Sequence, residues 1–160
     1  MNMELTRTVD YSRTIQTYLL MPGHLNAAGS LFGGQLLSWI DMLAGIVALR
    51  HADANVVTVA IDHLDFKHGA KASDVVTLDG RVTWVGSSSM EVRVDTFREN
   101  KGGEKVLINT AYIVMVALED GTDKPKRVPR LELTTEEQRQ EWLSAERRAQ
   151  LRKTRKAENF

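Results

Sequence analysis

The sequence predicts an α+β fold in which an antiparallel sheet wraps one long buried helix and a second helix ends the chain. Three observations support this prediction. The segment Gly34–Arg50 is apolar almost all the way round when its residues are stepped by ~100°, which indicates a helix buried on most sides. Four segments of β-strand character follow it with short connections. Residues 134–160 contain neither glycine nor proline and are rich in helix formers.

The elements before the long helix are short. Residues 1–13 are polar and are expected to form a loose N-terminal arm. Thr14–Met21 is rich in β-branched and aromatic residues and stops at Pro22 and Gly23, so it predicts a strand. The loop over residues 22–30 has turn residues at both ends.

The sheet is predicted to continue after the long helix. Short connections at Gly86–Ser88 and at residues 100–104 favour antiparallel hairpins. The last strand candidate is long and apolar, as a central strand should be. The four candidates are Val56–Phe66, Asp74–Gly86, Ser89–Glu99 and Lys105–Leu118.

The terminal helix is predicted as a C-terminal extension, 134–160, of a single domain that spans residues 1–160. Thr134 or Thr135, with Glu137 or Gln138 three residues later, makes a capping box. Basic residues lie on several sides of this helix. We therefore expect it to be solvated or to pack against another subunit, rather than to bind a membrane or nucleic acid.

The composition excludes several function classes. Lysine plus arginine and aspartate plus glutamate both number 21, so the net charge carries no signature of nucleic-acid binding. The absence of cysteine excludes disulfide frameworks and thiolate nucleophiles. The first residues lack the apolar core of a signal peptide, and no apolar run approaches the ~20 residues that span a bilayer. A soluble cytoplasmic protein with no membrane partner is expected.

Known motifs for metals and nucleotides are missing from the sequence. His24, His51, His63 and His68 show no HxxxH spacing, so no metal site is expected. No serine lies in a GxSxG elbow, and there is neither a GxGxxG nor a Walker loop. We expect no cofactor.

Two adjacent glycines stand at the N-terminus of the long helix. Gly33 and Gly34 let a ligand approach the backbone closely. The first helical N–H groups have no intrahelical partner and carry the positive end of the helix dipole, so they can stabilise a developing oxyanion. Taken alone, such a pair is more often only a tight turn packed against a sheet.

A carboxylate lies within the apolar helix. Asp41 follows Gly34 by seven residues, close to two turns, so the two share a face ~10 Å apart along the axis. The helical phase places Asp41 on or beside the apolar stripe, where a carboxylate is costly unless it is paired. The residues leave two interpretations open: a structural aspartate bonded to a neighbouring element or subunit, and a catalytic group. In a dimer formed about this helix, Asp41 of one subunit can face the glycine turn of the other.

Two further polar residues flank this helix in the sequence. Asn26 lies in the preceding loop, where it either forms the turn or holds a water or a carbonyl group by its amide. Thr58 lies on the following strand. It is either present only because threonine favours β-strands, or it holds Asp41 in place without touching the substrate.

Two segments are candidates for binding phosphate. The hairpin Gly86-Ser87-Ser88 is either a plain turn or a source of N–H and hydroxyl groups for a phosphate or an amide-rich ligand. The basic segment over residues 123–130, which includes Lys126, either contacts phosphates or is a solvated connector held extended by its prolines.

The stretch "NAAGSLFGGQLLSWID", Asn26–Asp41, resembles the signature of the hotdog-fold acyl-CoA thioesterases, which include small bacterial acyl-CoA hydrolases and the brain-type cytosolic acyl-CoA hydrolase. The segments "VVTVAIDHLDF" and "SDVVTLDGRVTWVGSSSMEVRV" resemble the following strand and hairpin of that family. The resemblance covers residues 14–129. It implies a hotdog fold, with a long central helix wrapped by a five- to six-stranded antiparallel sheet.

The resemblance implies hydrolysis of acyl-CoA thioesters to a carboxylic acid and coenzyme A. Asn26 and Asp41 match the family's catalytic asparagine and aspartate, and the Phe32-Gly33-Gly34 turn matches its carbonyl-polarising backbone. The hairpin of Gly86 and the serines after it matches the one where relatives contact coenzyme A. Asp41 is then a general base or a carboxylate nucleophile, and both routes stay open. Coenzyme A takes part as a portion of the substrate.

The resemblance also implies self-association, because the site is expected between two subunits of an obligate dimer, and relatives suggest a trimer of dimers. Two departures concern phosphate recognition: Ser87 replaces a basic or larger polar residue of many relatives, and "KHGAKASD" lacks a proline that many have. Two alternatives are a non-catalytic acyl-CoA or lipid sensor on the same fold and a hotdog hydratase. The hydratase needs a catalytic histidine, for which His24 is the only candidate near the motif.

Overall fold

The computed structural model describes residues 4–160, so the first three residues of the predicted arm lie outside the described part of the chain. A single 3-10 turn at Pro22–His24 separates the second strand from the long helix. The strands and helices are β1 (Thr6–Thr8), α1 (Val9–Ser12), β2 (Thr14–Leu19), α2 (Gly33–Ala52), β3 (Asn55–Phe66), β4 (Val75–Val85), β5 (Ser89–Glu99), β6 (Lys105–Leu118), β7 (Arg130–Glu132) and α3 (Glu136–Glu158).

Five strands form one antiparallel sheet in the order β2-β4-β5-β6-β3. Helix α2 contacts all five strands across one face, which we call the inner face. This arrangement confirms the α+β prediction and the hotdog fold that the resemblance implied. Strand β3 lies at one edge of the sheet and β2 at the other, so β6 is the only strand of this sheet that β3 pairs with among residues 4–160.

The core lies between α2 and the inner face. Gly80 on β4 lets the helix come close, since a Cβ atom there would lie 3.1 Å from side-chain carbons of both Leu43 and Val47. The buried residues of α2 recur at intervals of three and four, as one side of a helix requires. They are Leu36, Trp39, Ile40, Leu43, Ala44, Val47, Ala48, His51 and Ala52.

The outer face of the sheet is covered by α3. Of the residues in α3, only Ala145 and Ala149 are buried; the Trp142 ring packs against that of Trp84 at 6.1 Å between centroids, and ion pairs make further contacts with the sheet. Glu141 pairs with Arg81 and, at 3.0 Å, with Arg93, while Arg148 pairs with Glu91 at 2.8 Å. Most of its residues are exposed, as expected of a solvated helix, but one side packs on the chain's own sheet because its arginines complement carboxylates there.

The N-terminal arm is ordered over the residues the structure describes, and the expectation of a loose arm is wrong there. β1 pairs in parallel with β7, and Val9 is 3% exposed. Arg7 donates hydrogen bonds to the carbonyl oxygens of Arg50 (2.8 Å) and His51 (2.7 Å), the last turn of α2. Such contacts satisfy carbonyl groups that a helix C-terminus leaves unpaired, so they fix the arm to the domain.

The remaining element predictions agree with the structure to within two residues at each end. α3 begins as the capping box predicted, since the Thr135 hydroxyl accepts a hydrogen bond from the Gln138 N–H at 3.2 Å. The two-stranded β1–β7 ladder was not predicted. No helix among residues 4–160 is both long enough and apolar enough to cross a membrane.

Candidate active site

Helix α2 begins with unpaired amides. Its first backbone hydrogen bond runs from Leu36 N–H to the Phe32 carbonyl at 3.1 Å, and no side chain caps this end. Within the described residues the N–H groups of Gly33 and Gly34 therefore have no protein acceptor. They point outward at the positive end of a 20-residue helix. This turn is suited to a carbonyl oxygen that gains negative charge.

Phe32 explains why the second glycine is needed. A Cβ atom on Gly34 would lie 2.6 Å from the Phe32 ring, closer than real contacts allow. The ring is 55% exposed and shields one side of the turn. Any larger residue at Gly34 would displace Phe32 or distort the turn.

Asp41 and Thr58 are in direct contact. The Thr58 hydroxyl lies 2.6 Å from one carboxylate oxygen of Asp41 and donates a hydrogen bond to it. The same hydroxyl lies 3.3 Å from the sulfur of Met115. Since the hydroxyl holds one oxygen of Asp41, the other remains available to a ligand.

Asp41 is exposed in the single chain, which corrects the expectation of a buried carboxylate on the apolar stripe. The stripe that packs on the sheet passes through Leu36, Ile40 and Leu43, and Asp41 lies on the flank of α2 that faces the edge strand β3. Exposed apolar side chains occur on the elements that carry Asp41 and Thr58 and just before α2. They are Phe32, Met42 and Leu49 on or beside α2 and Val57, Val59 and Ile61 on the edge strand β3, each between 41% and 56% exposed.

Asn26 is the organising residue of the loop before α2. Its side-chain oxygen accepts hydrogen bonds from the N–H groups of Ala28 (2.9 Å) and Ser30 (3.2 Å). The turn-forming interpretation is therefore correct for the oxygen. The amide nitrogen keeps both of its N–H donors for another partner, so a second role is compatible with the first.

The two predicted phosphate-binding segments meet at the other end of α2. The hairpin turns its carbonyl groups inward: Ser87 accepts from Val128 N–H at 2.9 Å and Gly86 accepts from Arg130 at 2.6 Å. Lys126 reaches the carbonyl of Asp53, the C-cap of α2, at 3.4 Å. The segment around Lys126 is thus packed on the domain rather than a solvated connector.

Sequence reasoning missed a basic cleft at this end. It has a volume of about 690 Å³, and its charged lining residues are Arg7, Lys126 and Arg127 together with the carboxylates Glu4 and Asp53. Glu4 pairs with Arg127, which lowers the pKa of Glu4 because the guanidinium donates a hydrogen bond to the carboxylate. Arg7 comes from the polar N-terminal arm, so the local sequence pattern does not predict that it lines this cleft.

Within one chain the predicted site residues do not form one cluster. Asn26, Gly33 and Gly34 lie at the start of α2, the Asp41–Thr58 pair lies along it, and the hairpin with Lys126 lies at its end. A helix of 20 residues is ~30 Å long at ~1.5 Å per residue. The single chain thus brings Asp41 and Thr58 together and holds the phosphate candidates far from the glycine turn.

A second cleft missed by the sequence adjoins the glycine turn. Its volume is about 300 Å³, and Leu31, Leu36, Phe66 and Ile108 supply apolar walls. A Cβ atom on Gly33 would touch the Phe66 ring at 3.6 Å, so the cleft and the unpaired amides are neighbours. The only sequence signal is the apolar character of residues that are distant in the chain.

Two of the four histidines, His24 and His51, make contacts within the fold. Among residues 4–160 no three histidine or acidic side chains are placed to hold a metal ion. His24 accepts a hydrogen bond from Met21 N–H at 3.0 Å and packs edge-on against Trp39. His51 is fully buried beside the Pro129 carbonyl at 3.0 Å, and burial lowers its pKa, with Arg7 and Arg130 adding to the effect.

Comparison with known proteins agrees with this fold. The family model of the thioesterase superfamily matches residues 28–105. An uncharacterized acyl-CoA thioester hydrolase of Bacillus subtilis is 41% identical over 152 residues, covering 94% of this chain and 88% of its own. The crystal structure of an apo hexameric acyl-CoA thioesterase is 41% identical with a TM-score of 0.92, covering 96% of this chain and 98% of its own.

A third similar structure contains ligand. The acyl-CoA hydrolase of Staphylococcus aureus, in complex with butyryl coenzyme A, coenzyme A and coenzyme A disulfide, is 31% identical with a TM-score of 0.90. The match covers 96% of this chain and 94% of that one. The chain belongs to the hotdog-fold acyl-CoA thioesterases, a family of thioester hydrolases within the thioesterase superfamily.

Proposed function

We propose that this chain hydrolyses acyl-CoA thioesters with Asp41 as the group that activates or delivers the attacking oxygen. One observation carries the proposal: the Asp41 carboxylate is held by Thr58 at 2.6 Å yet exposed, on a helix that begins with two unpaired amides. Thioester hydrolysis needs such a carboxylate and donors for the developing oxyanion. The chain supplies both.

The glycine amides and Asn26 are assigned to the carbonyl group and the water. The N–H groups of Gly33 and Gly34 polarise the thioester carbonyl and stabilise the negative charge that its oxygen gains. The free N–H donors of Asn26 orient the attacking water or the same carbonyl. Thr58 supports Asp41 from behind by holding one of its two oxygens.

Two routes remain for Asp41. As a general base, it takes a proton from water while the water oxygen bonds to the carbonyl carbon; the C–S bond then breaks, and the thiolate takes up the proton. As a nucleophile, its oxygen bonds to the carbonyl carbon and expels the thiolate, leaving a mixed anhydride that water hydrolyses. Both routes use the same oxygen of Asp41, the one that Thr58 does not hold.

Variants of the Staphylococcus aureus hydrolase support this choice of residues. Structures of that protein exist with an asparagine, an aspartate and a threonine each replaced by alanine. Those three positions are separated by 15 and 17 residues, the same intervals that separate Asn26, Asp41 and Thr58. The identical order and spacing favour the same three residues here.

A second copy of the chain completes the site in this proposal. Asp41 follows the glycine turn by ~10 Å along the same helix, so it cannot face that turn in its own chain. Two α2 helices packed antiparallel about a two-fold axis place each Asp41 opposite its partner's turn and form two equal sites. The exposed Met42 and Leu49 on α2 fit such contact, and the hexameric relatives favour a trimer of dimers.

The two clefts are assigned to the two ends of the substrate. The cleft beside Gly33, which has both apolar walls and the polar residues Lys67 and His68, takes the acyl group, because it opens next to the amides that bind the carbonyl. The phosphates of coenzyme A bind at the partner's basic cleft, near the Gly86-Ser87-Ser88 hairpin and Lys126. In an antiparallel dimer that cleft lies beyond the partner's Asp41, by ~18 Å at ~1.5 Å per residue.

Hydrolysis assays with Asp41→Asn test the proposal. Release of free thiol from acetyl-, butyryl-, octanoyl- and palmitoyl-CoA should occur with the wild type, and kcat should fall by roughly 10²–10⁴ in the variant, as expected for loss of an acid–base group. Asp120→Asn, in an exposed turn, is the matched control and should keep full activity. Full activity of Asp41→Asn would refute the mechanism, and tight binding of intact acyl-CoA without turnover would favour the sensor.

A further inference from the structure

Strand β3 contains two β-bulges. Its pairing with β6 shifts by one residue between Thr58 and Ala60 and again between Ile61 and His63. The extra residues are Val59 and Asp62. Bulges insert one unpaired residue, bend the strand and occur often beside active sites, where they re-aim a side chain.

The two bulges together set the position of Thr58. Leu64 lies opposite Ala111, and a ladder without bulges would continue to place Thr58 opposite Ala117. With both bulges Thr58 lies opposite Met115, two residues away, which is ~7 Å at ~3.4 Å per residue. With one bulge only, the strand would turn Thr58 to the outer face, away from Asp41.

The second bulge is held from outside by α3. The Asp62 side chain is only 3% exposed and accepts hydrogen bonds from Arg152 at 2.9 Å and Arg155 at 2.5 Å. Arg152 also lies 3.6 Å from the fully buried carboxylate of Glu91 on β5. The bulged residue is thereby connected through α3 to a central strand of the sheet.

From these contacts we infer that Asp62 is a positioning residue, through which α3 holds the bulged register that brings Thr58 to Asp41. The inference rests on the proposed function, because it assigns a catalytic consequence to the Thr58–Asp41 contact. Within the chain β3 pairs only with β6 among residues 4–160, and Arg152 and Arg155 of α3 contact its bulged residue Asp62 from the outer face.

A double-mutant cycle tests this inference. Asp62→Asn keeps the side-chain shape, removes its charge and should lower kcat about tenfold with KM nearly unchanged, because a small displacement of catalytic groups is costly. In a Thr58→Ala background the same substitution should change kcat less than about twofold, since the group it positions is already gone. The exposed Glu136→Gln substitution on α3 is the control and should leave kcat unchanged in both backgrounds.

Other outcomes overturn the inference. An unchanged kcat in Asp62→Asn, or an equal loss with and without Thr58, would show that Asp62 acts by stability alone or not at all. If Asp62→Asn does not fold, Arg155→Gln removes one of the two contacts from a partly exposed position and enters the same cycle. Full activity of Asp41→Asn would instead refute the proposed function, so the two failures are distinguishable.

Discussion

Helices α2 and α3 pack on opposite faces of the same sheet by different physics. α2 buries a continuous apolar stripe against the inner face, with Leu43 and Val47 fully removed from solvent. α3 buries only two alanines and one ring contact, Trp142 on Trp84, and otherwise meets the outer face through arginine–carboxylate pairs, among them Arg148 with Glu91. One helix is held by a large apolar area, the other by a small apolar contact together with charges of fixed geometry.

The contrast shows that one interface mainly supplies stability, while the other mainly fixes the relative position of the elements. Burial of apolar surface is non-directional and roughly proportional to area. Charge-assisted hydrogen bonds are directional, so they specify geometry as well as contributing energy. The inner helix thus anchors the domain, while the outer helix fixes the register of a strand that carries a site residue. α2 alone has a second exposed side, and that side carries Asp41.

The largest effect on stability is expected from the inner interface. Leu43→Ala removes a fully buried side chain and leaves a cavity beside Gly80, so the free energy of unfolding should fall by about 2–5 kcal/mol. Urea titration at low and at high salt measures the loss. Because the contact is apolar, the loss should be the same at both; a loss that disappears at high salt would contradict the comparison.

The corresponding change at the outer interface should cost less and depend on salt. Glu91→Gln leaves Arg148 and Arg152 without their buried carboxylate and should lower the free energy of unfolding by about 2 kcal/mol, the usual range for bonds to charged groups. Burial alone would lower the pKa of Arg148, but Glu91 outweighs it and raises that pKa. The loss should shrink as salt increases. A salt-independent loss would indicate packing instead of charge.

Acidification should weaken the inner interface through His51. Burial lowers the pKa of this histidine, so the unfolded chain binds its proton more readily, and stability should fall as the pH drops below about 6.5, the ordinary value. His51→Gln keeps a donor near the Pro129 carbonyl and removes the titrating ring. Unfolding curves at several pH values should show a smaller acid-induced loss in the variant, and identical pH profiles would refute the assignment.

The smallest effect is expected at the exposed end of α3. Glu136 pairs with Arg139 at 2.9 Å, but both side chains are at least half exposed, so water and salt screen the pair. Glu136→Gln should leave the unfolding midpoint within experimental error. A clear destabilisation would mean that the exposed ion pairs of α3 contribute as much as the buried ones.

Most of the fold could be predicted from the sequence, because local pattern determines it. The alternation in Ser89–Glu99 and the β-branched run Lys105–Leu118 predicted β5 and β6 with their observed bounds. The β1–β7 pair could not be predicted in this way. It joins two polar three-residue segments that lie more than 120 residues apart, and neither segment carries a periodic signal.

The candidate site could be predicted in part. Helical phase placed Asp41 on the same face as Gly34, but a helix apolar on all sides does not reveal which side faces its own sheet and which faces a partner. The sequence therefore suggested a buried Asp41, and the structure exposes it. Asp62 was not identified at all, since its partners Arg152 and Arg155 are 90 and 93 residues away.

In the proposed dimer, Asp41 of one chain forms an active site with the glycine turn and Asn26 of the other chain. Two variants, each inactive alone, test it by co-assembly: Asp41→Asn, and Asn26→Asp, which keeps the acceptor oxygen of the loop but removes the amide donors. Random pairing of the two chains should restore about one quarter of wild-type activity, because half the pairs are mixed and each mixed pair has one intact site. A mixture as inactive as its components would show that Asn26 and Asp41 act within one chain, and would contradict the shared site.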